Sequence, residues 1–309
     1  MQRQHWLKYS LFSASVFTGL YQSKKIKDRH IRMGIAGLLG QMTTDIFFHP
    51  IDVVNTKTKY FFSEKLSIRQ MARKIFMSEG LFGIFRGGTI MLWGSAFSGF
   101  VYFSLYRRLK EFFKKKFGEE SKYNSLIYIL SAMLTQSIVY PLAYPIDLLK
   151  TRVQTGEYIY VNLQDGLRKI YENSKNKSFA ILKDYYVGFT PNYSLNVAAS
   201  VLVFLTFESS RDLIAKRKGI KSHDVKGFDY FFCTLIAGTI TAVSLNFLEV
   251  YSIQKCIHGD KISFRKFLSV DNLHALRSGI SARLFSGVFY TIMLLESVNI
   301  YAKILKTHL

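Results

Sequence analysis

Three times in this chain a long apolar run ends on a carboxylate: at Asp52, at Asp147 and at Glu249. The middle instance is the fullest. Pro145-Ile146-Asp147-Leu148-Leu149-Lys150-Thr151-Arg152-Val153-Gln154 closes an apolar stretch that begins near Ser125. Proline inside a helix removes one backbone donor and clashes with the preceding turn, so a kink is expected there. Just past it, Asp147 and Lys150 fall three residues apart on one helical face. Charges at the end of a hydrophobic helix are costly unless they face a bundle interior or a water-filled cavity. The motif therefore requires other helices around it.

The remaining apolar runs supply them. Several reach about 20 residues, enough to cross about 30 Å of hydrocarbon. The net charge of +21 calls for a polyanionic partner. With spans of this length that partner is anionic lipid and not nucleic acid, and the mean hydropathy of +0.11 reflects polar lining and basic loops diluting the spans. Cys233 and Cys256 are far apart with no C-x-x-C spacing, which excludes a disulfide framework and gives no metal site. His49 reads as a packed or hydrogen-bonded histidine in preference to a cavity group. Gly83-Ile84-Phe85-Arg86-Gly87-Gly88 lacks the G-K-[ST] ending of a phosphate loop, and no catalytic constellation is visible. The chain is not read as an enzyme, and no cofactor is expected.

In order, residues 1–27 form a basic extension, read as a targeting segment or a docking arm. Spans follow at about 31–54, 90–109, 126–149, 193–207, 228–251 and 278–302, with short amphipathic helices at 67–77, 162–171 and 264–276. Gly34, Gly37 and Gly40 line one stripe of the first span, where a neighbour can approach closely. A unit of about 100 residues thus recurs three times, over 28–117, 118–218 and 219–309. Each unit holds two spans, so the three polar loops share one side and the three carboxylates one level. The expected fold is all-α: six transmembrane helices in a pseudo-threefold bundle with three short helices on one side.

These residues resemble the mitochondrial carrier family, which has three such repeats, each with P-x-[DE]-x-x-[KR] on its odd helix. Repeat two matches that motif through Pro145, Asp147 and Lys150, and repeat one matches the later acidic-Gly motif through Glu79, Gly80, Phe85, Arg86 and Gly87. The resemblance implies the inner mitochondrial membrane, short helices in the matrix, and a cavity that opens alternately to either side. It implies matrix-gate pairs of Asp52 with Lys150, Asp147 with Ser252, and Glu249 with Asn55, Gln154 bracing the first. One ion pair of three would survive, leaving the gate two negative charges in excess unless Arg152 or Lys57 served it. The outer gate would comprise Arg107, Lys110, Glu208 and Arg211; the last two also fit an ordinary pair within one helix. Substrate contacts would fall near Gly94, Ser95, Leu195, Asn196, Ser286 and Gly287, with Arg283 one turn away. Arg86, Gly87 and Gly188 stand where helix N-termini would hold cardiolipin.

Uneven gates and uncharged contact positions favour an accessory subunit of a larger inner-membrane complex with transport reduced or lost. The alternative is a working carrier whose small-molecule substrate the sequence does not identify.

Overall fold

A computed structural model describes residues 26–118, 124–174, 180–220, 225, 227–268 and 274–307; the extension 1–27 lies almost wholly outside them. The described residues are helical and contain no strand. Six long helices are α1 (Arg29–Tyr60), α3 (Gly88–Phe117), α4 (Asn124–Thr155), α7 (Phe189–Lys218), α8 (Phe228–His258) and α10 (Ile280–Ile304). Between them lie α2 (Ile68–Glu79), α5 (Leu163–Ser174), α6 (Ala180–Tyr185) and α9 (Phe264–Phe267).

Four stretches, Leu81–Phe117, Ile127–Thr155, Phe228–Lys261 and His274–Ile304, are long and apolar enough to cross a membrane. They contain α3, α4, α8 and α10. α1 and α7 match them in length, at 32 and 30 residues, but carry more polar side chains. Much of that polarity is satisfied within the helix itself. Thr43 and Thr44 donate to the carbonyls of Leu39 and Gly40, and Thr58 to that of Val54. Ser200 and Ser210 of α7 donate to Asn196 and Thr206 in the same way. Such hydroxyls lower hydropathy without demanding a partner elsewhere.

The chain divides into two compact units. One comprises residues to Thr44, Ser95–Pro141 and those from Met293 on. Its core is Met33, Ala36, Phe103, Val298, Ala302 and Leu305. Gly34 and Gly37 of the α1 stripe meet α3 here, and Gly40 meets Val298 of α10. A Cβ on Gly99 would lie 2.6 Å from the Gly37 carbonyl oxygen, so the two backbones touch with no side chain between them. Asp28 caps α1 by accepting from the His30 amide at 2.7 Å.

The other unit comprises Asp45–Gly94 and Leu142–Ile292 and holds the three carboxylates that end the apolar runs. α2 starts on a capping box in which Ser67 and Gln70 satisfy each other's backbone amides, and it buries Met71 and Ile75 against Val54. α5 buries Ile170 against Leu149 and Val153 of α4. The third short helix is shorter than its sequence pattern suggests. α9 ends at Phe267, and the amide nitrogen of buried Asn246 lies 3.1, 3.0 and 2.8 Å from the carbonyl oxygens of Ala275, Leu276 and Ser278. His274–Leu276 form a 3-10 turn, and these bonds tie it and the residues after it to α8.

Candidate functional site

The polar residues of α1 recur at the spacing of one face: Asp45, His49, Asp52 and Asn55. All four line a cavity of about 500 Å³ in the second unit, together with Lys150 of α4, Asn196 of α7, and Arg283 and Tyr290 of α10. That volume suits a small metabolite.

Asp52 is paired across the helices with Lys150, Nζ to Oδ2 at 2.8 Å. Gln154, one turn beyond Lys150, donates its Nε2 to the same carboxylate oxygen at 2.8 Å. The side chains of Lys150 and Asp52 are 26 and 39 % exposed, so this pair keeps much of its hydration. Lys150→Ala is expected to cost only about 1 kcal/mol, the scale of exposed pairs, read as a small drop in the thermal midpoint of the purified protein. A loss several times larger would mean the pair is sealed from water.

The other two carboxylates depart from the pairing implied by family resemblance. Glu249 does not meet Asn55. One of its oxygens lies 2.6 Å from Lys59 Nζ and the other takes Arg283 Nη1, so it is held between two cations. Asn55 packs against Gly279 just before α10, with its side-chain oxygen buried and unbonded. The lost base of repeat one has moved one turn along α1: Lys59 occupies in repeat one the place of Gln154 in repeat two. Lysine reaches that far because its four-carbon stem spans about the 5.4 Å rise of a turn. Arg152 and Lys57, the other expected bases, are committed elsewhere. Arg152 donates to the Cys256 carbonyl at 3.2 Å and stacks over Tyr158, while Lys57 pairs with Glu79.

Asp147 is exposed and, among the described residues, enters no ion pair. Ser252, its expected opposite, donates instead to the Glu249 carbonyl at 2.9 Å. The expected surplus of two negative charges thus vanishes, because Lys59 and Arg283 were both left out of that count.

Of the expected substrate contacts, Asn196, Ser286, Gly287 and Arg283 line the cavity. Gly94 packs on Ile146, while Ser95 and Leu195 are 3 and 8 % exposed and stand outside the lining. Asp45, Met91 and Tyr290 were not anticipated; the Tyr290 hydroxyl donates to Asp45 at 2.6 Å. His49 also lines the cavity, and its Nε2 bonds the Arg86 carbonyl oxygen at 3.1 Å.

The expected outer gate consists of local pairs. Arg107, standing where an acid was expected, binds Glu111 one turn on at 2.9 Å and also contacts Thr307. Lys110 lies over the Tyr128 ring at 4.7 Å. Glu208 and Arg211 pair with each other within α7. Arg86 binds Glu79 at 3.0 Å beside Gly87. Gly188, with φ +76°, sits against the backbone of Cys256. No metal-holding group of histidine, cysteine and carboxylates occurs among the described residues.

The family described as mitochondrial carrier protein matches residues 27–117 and 121–218. Among curated proteins, mitochondrial phosphate carrier protein 2 of Arabidopsis thaliana is 26% identical over 59% of this chain and 49% of its own length. Mitoferrin of Dictyostelium discoideum is 28% identical over 74% of this chain and 73% of its own length. The mitochondrial dicarboxylate transporter of Candida glabrata is 24% identical over 67% of this chain and 68% of its own. The chain thus spans about half the length of the phosphate carrier and about three quarters of mitoferrin.

Proposed function

Because the chain belongs to the mitochondrial carrier family, we propose that it is a solute carrier of the mitochondrial inner membrane, moving a small metabolite by alternating access. The relatives support this through their names, two of which specify a carrier or transporter of a small solute. One observation carries the reading. Three side chains that tie the helices together also border the cavity: Asp52 and Lys150, which join α1 to α4, and Arg283, which joins α10 to Glu249 of α8. A solute in that space competes for the groups that hold the helices shut, so its binding and their opening are linked. The accessory-subunit reading leaned on a charge deficit at the matrix gate, and Lys59 and Arg283 fill it.

Anionic lipid belongs to the same proposal. Arg86, Gly87 and Thr89 at the start of α3 border a hollow of about 290 Å³ with Tyr158 of the loop after α4, and helix N-termini favour phosphate. The test of the carrier reading is reconstitution of the purified protein into liposomes and uptake of a panel of phosphate, dicarboxylates and amino acids. Saturable uptake of one solute class above protein-free vesicles is expected. No uptake, with comigration alongside a large complex on a native gel of mitochondria, would return the reading to an accessory subunit.

A further inference from the structure

The charges lining the cavity point to the class of solute, an inference that rests on the carrier reading. Its wall carries acids and bases in equal number, Asp45 and Asp52 against Lys150 and Arg283. Behind Arg283, Glu249 and Lys59 add one of each. The site is therefore neutral while presenting both signs. Lys150 holds Asp52 at 2.8 Å and lies within electrostatic reach of Asp45, which the Tyr290 hydroxyl fixes in place at 2.6 Å.

This pairing sets a condition on the passenger. Water hydrates the ions of an open cavity, but closure around a solute expels it. An anion that took Lys150 would then strand Asp52, and a cation that took Asp52 would strand Lys150. A charge kept from water without a partner is costly. An uncharged solute gives neither ion a substitute for the other. A solute bearing both charges opens the pair with neither side stranded.

The uncharged lining is a second, independent observation. Thr291 and Ser286 donate their hydroxyl protons to the carbonyls of Gly287 and Arg283 in their own helix, at 2.9 and 3.5 Å. What each has left is acceptor capacity, which suits an ammonium group. Phe48, Ile51 and Met91 make another part of the same wall apolar, which suits a hydrocarbon side chain in preference to a third charge.

We infer that the solute is a zwitterion, a small amino acid with an apolar side chain, whose carboxylate meets Lys150 and whose ammonium meets Asp52.

The purified protein in liposomes is offered labelled leucine, arginine, inorganic phosphate and malonate separately. Leucine uptake is expected to exceed each of the others by roughly tenfold or more. Asp52→Asn and Lys150→Ala should each cut it about tenfold, the first shifting preference toward malonate and the second toward arginine. Two results would overturn the zwitterion inference and leave the carrier reading standing. One is leucine uptake untouched in both variants; the other is arginine, phosphate or malonate carried as well as leucine or better. If nothing is carried, the thermal midpoint in detergent decides. A rise with leucine in the parent protein, absent in both variants, would support the site while sinking transport. No rise, or one that survives in the variants, would overturn both.

Discussion

Glu249→Gln is expected to destabilise the protein by about 3–5 kcal/mol, the scale seen when one partner of a well-buried ion pair is removed. The substitution keeps the size of the side chain and removes only its charge. It leaves Lys59, whose side chain is 0 % exposed, and Arg283 facing each other with no acid between them. Lys59 has little room to turn away. Gly279 presses on its stem, a Cβ there falling 2.8 Å from Lys59 Cε. A fall of about 10 °C in the thermal midpoint should follow. The Lys59→Gln,Glu249→Gln double variant should lose clearly less than the two single losses combined, since groups in contact do not add. Strict additivity would show that the two side chains do not depend on each other. Asp147→Asn is the contrast. With no ion pair to break among the described residues, it should stay within about 1 kcal/mol of the parent, as surface substitutions do.

The second large effect is expected at Gly188, which begins α7 with φ +76°. An alanine there meets two obstacles. The left-handed backbone conformation costs a residue with a Cβ about 1–2 kcal/mol. That Cβ would also lie 3.0 Å from the Cys256 amide nitrogen and 3.2 Å from its Cα. Backbone of a packed helix cannot yield as the end of a flexible side chain can, and such overpacking adds about 1–3 kcal/mol. The first turn of α7 is further fixed by the Tyr144 hydroxyl, which donates to the Val187 carbonyl at 2.6 Å, and by Asn192, which donates to Cys256 Sγ at 3.1 Å. Gly219, at the other end of the same helix, is the control. Its φ is +64° and a Cβ added there would meet nothing within 4 Å, so Gly219→Ala should show the conformational cost alone. Equal losses at the two positions, measured by thermal unfolding in detergent, would refute the close contact.

The long helices were legible in the sequence because they depend on local pattern, apolar runs of membrane length. The pairing of Asp52 with Lys150 and its brace by Gln154 came instead from the family resemblance, since no local pattern joins residues on two helices. The pairing of Glu249 came from neither. Matching repeats position by position assigned it Asn55, yet a lysine stem one turn away reaches the same carboxylate. Lys59 was visible in the sequence as a base on the same face, four residues beyond Asn55. The substrate positions failed for a different reason. Successive residues turn by about 100° around a helix, so of neighbouring Leu195 and Asn196 only the second lines the cavity. Sequence spacing could place that level without fixing the rotation. At the expected outer gate, each charge found a nearer partner within its own helix or on an aromatic ring. The hold of Asn246 on carbonyls 29 to 32 residues further along the chain leaves no periodic trace either.

The hydroxyls of α1 and α7 that bond their own preceding turn have a bearing on motion. A serine or threonine that grips a neighbouring helix acts as a catch, which must be undone whenever the two surfaces slip. One that returns its proton to its own backbone carries its bond along, as Thr44 does with Gly40 and Ser200 with Asn196. These hydroxyls therefore give the helices polar character without adding friction between them, and the resistance to sliding falls on the ion pairs and on the few cross-helix hydrogen bonds, such as Asn192 to Cys256 Sγ and Tyr290 to Asp45.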